Sequence, residues 1–283
     1  MPYHRVMMQT FLTMFLSTLA GLLLAAGLLH LLPRLGVARL NAALCRAPML
    51  DVIVTWFLIV PLVAGPIIGG WIGLAGAIVG QVASLLIWQS LHELANARAR
   101  KGPRIVKVIN RLVGRPRNHA ALWVTAITVP VFWLVRMAQI LLYPWLTILV
   151  GLPRYNSSEW VNVSRHKFDG LVGHDLIWCL YCDWMTGIWS LGSEMLRNVE
   201  SFWCPIRFDH TKKCENCKID FPDVDGGWVP ADRTMKEVTD KLHEMYDHTG
   251  PRERSWFGHP ARLTIHGHPP QTDAQDKADT DPS

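Results

Sequence analysis

From Val6 to Leu32 the chain runs 27 residues without an Asp, Glu, Lys or Arg. As a helix rising 1.5 Å per residue such a run extends about 40 Å, more than the roughly 30 Å hydrocarbon core of a bilayer. It predicts an uncleaved, tilted membrane anchor. A signal peptide is the rival reading, with small residues at Ala25-Ala26-Gly27, but the apolar part of such a peptide is only about 7 to 15 residues long.

A second apolar stretch, Ala47 to Leu91, has room for two spans, near 52–70 and 71–91. Gly65-Pro66 and Gly69-Gly70 supply the turn chemistry that would fold it into a tight hairpin. Arg34, Arg39 and Arg46 precede the hairpin, and eight Lys and Arg between Arg98 and Arg117 come after it. Basic loops are retained on the cytoplasmic face. This predicts both loops inside and the N-terminus outside. Ala120 to Val150 is apolar apart from Arg136 and contains Pro130 and Pro144. It reads either as a fourth span, which would export the C-terminal domain, or as a re-entrant pair of short helices. A mid-bilayer Arg costs about 2.5 to 3.5 kcal/mol on insertion scales, so Arg136 needs an ion partner or, as expected here, a place near an interface.

Charge separates the chain near Gly151. Before it stand 13 Lys and Arg against Asp51 and Glu93, a net +11; from it onward stand 15 against 21, a net −6. The positive charge flanks apolar runs and is not interleaved with aromatic residues, which points to topology and anionic headgroups and excludes a nucleic-acid-binding reading.

Five of the six cysteines lie in the acidic part: Cys179, Cys182, Cys204, Cys214 and Cys217. An odd set containing two C-x-x-C pairs suits a metal in a reducing compartment better than a disulfide framework. On a helix Cys179 and Cys182 share a face, and Cys214-Glu215-Asn216-Cys217 suits a chelating turn. All five are candidate metal ligands. Zinc is expected on the two outer pairs, or on Cys204 with one pair and His210; an iron and sulfur cluster is the alternative, Cys204-Pro205 being a familiar step after a cluster cysteine. Exchangeable thiols are a further reading. His166, His174, Asp183 and Glu194 read as surface, capping or interfacial residues.

Around these cysteines, Gly173 to Trp203 reads as an aromatic-rich interfacial helix with Asp175 as its N-cap. Asp220, Asp223 and Asp225 lack the closing Glu of a calcium loop and read as a turn. Thr234 and Glu237 form a capping box ahead of a short amphipathic helix. From Pro251 the polar composition predicts a disordered tail.

The expected fold is therefore mostly α. A polytopic helical membrane region (1–150) precedes a small cysteine-rich, metal-stabilised cytoplasmic domain with interfacial helices (151–250) and a tail (251–283). No nucleotide-binding loop, nucleophile elbow or H-E-x-x-H motif is present, so no sequence feature identifies an enzyme. The expected function is a membrane-anchored accessory or scaffold protein, able to oligomerise, that docks a partner protein or membrane complex through a zinc-stabilised domain. A membrane redox protein and a transporter component are the alternatives.

Overall fold

The apolar run that begins at Val6 sustains α1, Pro2–Leu31, a 30-residue helix whose charged residue is Arg5 near its start. In the computed structural model, which describes residues 2–32, 36, 38–207 and 228–246, the later helices are α2 (Ala38–Leu44), α3 (Met49–Val54), α4 (Val60–Ala95), α5 (Ala97–Lys101), α6 (Ile105–Val113), α7 (Arg115–Ala126), α8 (Val129–Leu141), α9 (Tyr143–Val150), α10 (Ser157–Trp160), α11 (Gly173–Trp203) and α12 (Met235–Tyr246). The fold is mostly helical. Among the described residues there is no strand, only isolated bridges at Arg46 with Asn162 and Ile206 with Val229. His4–Leu31, Met49–Ala95 and Arg115–Val150 are long and apolar enough to cross a membrane, as expected of a membrane protein. Two compact units divide the chain: Met1–Leu134 with Val161–Ile188, and Val135–Trp160 with Trp189–Ser283. The expected tail and the Asp220 to Asp225 turn fall outside the described residues.

In the first unit the 47-residue stretch Met49–Ala95 turns back on itself. The break falls at Gly69-Gly70, where Gly70 adopts φ +56° and ψ −147°, a conformation essentially confined to glycine. The two arms then touch: a Cβ on Gly73 would lie 2.2 Å from the Gly65 carbonyl oxygen, so a larger residue there would force the arms apart. Farther down, the Gln81 side-chain amide donates to the carbonyls of Phe57 and Leu58 at 2.9 and 3.0 Å. Those carbonyls belong to a π-helical turn, Thr55–Ile59, whose altered hydrogen bonding leaves acceptors for an outside donor. The stretch thus folds back as expected of a hairpin, but at Gly69-Gly70 alone: Gly65 and Pro66, expected in the turn, lie inside the helix, and Gln81 braces the arms farther down. α1 packs along the second arm in the same direction, from Thr10 at Gly69 through Thr18 at Gly80 to His30 beside His92.

The segment expected to be one kinked span or two short helices is three helices. Pro130 and Pro144 each sit in the first turn of a helix, α8 and α9, where a missing N–H costs nothing. The prolines therefore start helices rather than bending one. In the same unit Asp175 does not cap its own helix. Its carboxylate accepts the backbone N–H groups of Ile105 and Val106 at 3.1 Å each, capping α6 from outside. Geometry explains the swap: α6 opens on Arg104 with no side-chain cap of its own, leaving orphan donors that a buried carboxylate can fill.

The second unit contains α9, α10, the C-terminal parts of α8 and α11, and α12. Thr234 opens α12 as expected, its N–H and hydroxyl both donating to the Glu237 carboxylate at 2.8 and 2.9 Å. Val238 is the buried contact of that helix.

Candidate functional site

Arg104 is the most tightly bound charge of the first unit. Its side chain is 4% exposed. Nε donates to Asp175 at 2.7 Å, and Nη2 donates to Glu93 at 2.8 Å and to the Val172 carbonyl at 3.2 Å. One guanidinium thus joins the end of the hairpin, the start of α6 and the start of α11. Arginine suits this role because its planar fork meets two carboxylates without losing charge. The chain tightens further around it: Gly173, at φ +52°, lies so close to Glu93 that a Cβ would sit 2.2 Å from the Glu93 Cγ, and its N–H donates to His92 Nδ1 at 3.2 Å.

Beside this clamp opens a cleft of about 650 Å³. Arg100, Lys101, Lys107, Arg115, His119 and His174 line it, together with Asn110, Glu93 and Arg104. Glu93 is the acid among these lining residues and is engaged by Arg104 and by Arg100. Arg104 is engaged structurally and Arg100 shares Glu93 with it, which leaves Lys101, Lys107 and Arg115, with the exposed part of Arg100, as the cations lining the open space. Their fields add in a concave site, which therefore attracts anions.

The sequence-derived metal residues lie elsewhere. Cys179 and Cys182, half-buried, stand three residues apart on α11 in the first unit, and Cys204, exposed, comes just after α11 in the second. Cys214 and Cys217 lie outside the described residues, as does His210. Among the described residues no group of three or more His, Cys, Asp or Glu could hold a metal. What meets the thiols of α11 is Arg165, whose guanidinium pKa is raised by its hydrogen bond to Cys182 and by the Asp183 charge. Burial pushes the Cys179 thiol up despite the opposing Arg165 charge. Asp183 places this arginine by accepting the N–H groups of Ser164 and Arg165 at 2.7 and 3.1 Å. The next residue, His166, brings Nε2 within 3.8 Å of Cys45 Sγ. Three thiols thus meet one short turn, Arg165–Lys167, and Cys45 was not among the sequence-derived candidates.

The second unit holds a polar site that the sequence did not reveal. Glu194, Arg197, Asn198 and Ser201 have i, i+3, i+4, i+7 spacing along α11 and are all buried. Arg197 bonds Glu194; Asn198 bonds Tyr155 and, at 3.5 Å, Tyr143; Tyr155 donates to Glu194 at 3.4 Å. Arg136 is also buried, 2% exposed, with Nη1 donating to Gln139 at 3.1 Å. Arg136, expected near a membrane interface, is thus enclosed by protein, with Gln139 beside it. The helical spacing of the polar residues was the available signal, hidden by the surrounding tryptophans.

Burial alone would raise the Asp175 carboxyl, but the His174 imidazole, the Arg104 hydrogen bond and charge, and the Val106 N–H together hold it below its ordinary 3.8. A carboxylate depressed in the folded state adds stability above its unfolded pKa and loses it as pH falls through the folded value. Asp175→Asn should therefore cost about 3 kcal/mol near pH 7, and the difference from wild type should shrink below about pH 4, as read by unfolding in detergent across pH. Models of known protein families, curated proteins and solved structures all fail to match the chain, so its function must be read from this geometry.

Proposed function

We propose that the protein is a membrane-anchored accessory protein that docks its partner by holding an anionic group, phosphate or carboxylate, in the basic cleft. The observation that carries this reading is the division of labour around Arg104. One arginine is locked between Glu93 and Asp175 and fixes the walls, while Arg100, Lys101, Lys107 and Arg115 line the space with no further acid besides Glu93. A preformed set of cations binds an anion without first ordering itself. A basic loop that served topology alone would require no such brace.

Inorganic pyrophosphate is a suitable probe, followed by tryptophan fluorescence of the full-length protein because Trp123 and Trp178 lie on the neighbouring helices. A charged hydrogen bond is worth about 1.5 kcal/mol, roughly tenfold in affinity. Lys107→Glu with Arg115→Glu should weaken binding at least about tenfold per site, and affinity should fall with salt. Wild type that gives no salt-sensitive binding would refute the reading.

Zinc on Cys179 and Cys182 with Cys214 and Cys217 is the second reading, with Cys204 spare and an iron and sulfur cluster as its variant. It is supported by the half-buried, same-face placement of Cys179 and Cys182. Arg165 would have to withdraw from Cys182 on loading. Elemental analysis of the anaerobically purified protein should find about one zinc per chain, as a four-thiolate site holds one ion; a metal-free protein would leave the thiols to exchange or packing.

A further inference from the structure

We infer that Arg115–Val150, although long and apolar enough to cross a membrane, does not cross it. Its first-unit part, with α6 and the first-unit part of α11, lies flat in the bilayer interface on the side of the basic cleft. The proposal is independent of what the cleft binds.

The register of α11 gives the first reason. In the first unit its N-terminal part runs beside α7 in the same direction: His174 meets His119 at 5.2 Å between ring centres, Trp178 meets Trp123 at 5.9 Å, and the Tyr181 hydroxyl donates to the Thr125 carbonyl at 3.0 Å. In the second unit Gly192 lies against Val135 and Gln139, and Asn198 against Tyr143. Within each unit the pairings keep nearly the same sequence offset, so there the two helical segments run parallel. Were both segments to cross the membrane in that direction, the connection between them, residues 151–172, would have to return through it. That connection is largely non-helical. Its part in the first unit exposes Arg165, Lys167 and Asp169, and its part in the second exposes Arg154 and Glu159. Irregular backbone with exposed charges is not viable in hydrocarbon.

Contacts with the hairpin give the second reason, within the first unit. They fall at one end of it: Gly173 and His174 at His92 and Glu93, Val161 and Val163 at Ala47 and Cys45, and Trp133 at Thr55. A helix crossing beside the hairpin would instead meet it progressively along its length.

Exposure supplies the third reason. On α7 and α8 of the first unit, Val124, Ile127, Val131 and Leu134 form one stripe, each between 59% and 73% exposed. On α6 the exposed Ile105, Val108 and Leu112 oppose Lys107 and Arg111, the pattern of a helix lying in an interface. The second unit repeats the pattern independently: on α11 Trp189, Leu196 and Trp203 face out, while Glu194, Arg197 and Asn198 face in. The occupant that covers these faces is the bilayer.

The test uses the full-length protein in phosphatidylcholine vesicles containing phosphatidylglycerol, with a nitroxide attached through p-acetylphenylalanine at Leu112, Val124 or Leu134 in turn. All three positions are exposed, so the label displaces no core. Depth is read from relaxation by oxygen and by a water-soluble nickel complex. The expected result is one shallow depth for all three labels. A Leu134 label displaced along the membrane normal from Val124 by about 15 Å, ten residues of helix, would overturn the inference. The unsubstituted chain with a fluorescent protein after Ser283 gives an independent reading. The reporter should lie on the same side as the basic loop, and the opposite side would equally overturn it.

Discussion

Arg104 is the interaction on which the first unit depends. Through Glu93 and Asp175, its guanidinium is the group at which the hairpin end, the cap of α6 and the first turn of α11 share hydrogen bonds. A buried ion pair is a poor source of net stability, because desolvation consumes most of the Coulomb gain. What it supplies is position. Asp175 is held where it also caps Ile105 and Val106, and the cations of α5, α6 and α7 are thereby arranged around a cleft instead of dispersed over a loop.

A second constraint is the solvent each helix meets. In the second-unit part of α11, Glu194, Arg197 and Asn198 turn inward while Trp189 and Trp203 turn outward, the reverse of a water-soluble helix. Mean hydropathy counts both faces together and so records α11 as merely mixed in character. It likewise gives Arg115–Val150 the apolarity of a span, and does not register that Asn118, Arg136 and Gln139 are buried or that its prolines begin new helices. For helices that lie in an interface, the direction of the polar face is more informative than the average.

Much of the membrane region was legible in the sequence because its determinants are local. The uncharged run of α1 and the Gly69-Gly70 break are each specified within a few residues, as is, outside that region, the Glu237 carboxylate that accepts the Thr234 N–H. The residues that failed to declare themselves act over long range. Arg104 looks like one of eight topogenic cations, yet its partners lie 11 and 71 residues away. Asp175 stands where it could cap the helix it sits on, whereas it caps another. Cys45 stands apart from the C-x-x-C pairs and gains meaning only through His166, 121 residues on. Glu194, Arg197, Asn198 and Ser201 do carry a helical period, but a polar period among tryptophans is ambiguous until burial is known.

A double-mutant cycle between Arg104 and Asp175 tests the central claim most directly. Arg104→Met, Asp175→Asn and the double variant would be unfolded alongside wild type in mixed micelles. If the two side chains form one clamp, the double variant costs less than the sum of the single ones, with a coupling of about 1 to 3 kcal/mol. Additivity within about 0.5 kcal/mol would show that they act separately, and the account of the cleft as a structure braced by Arg104 would fail.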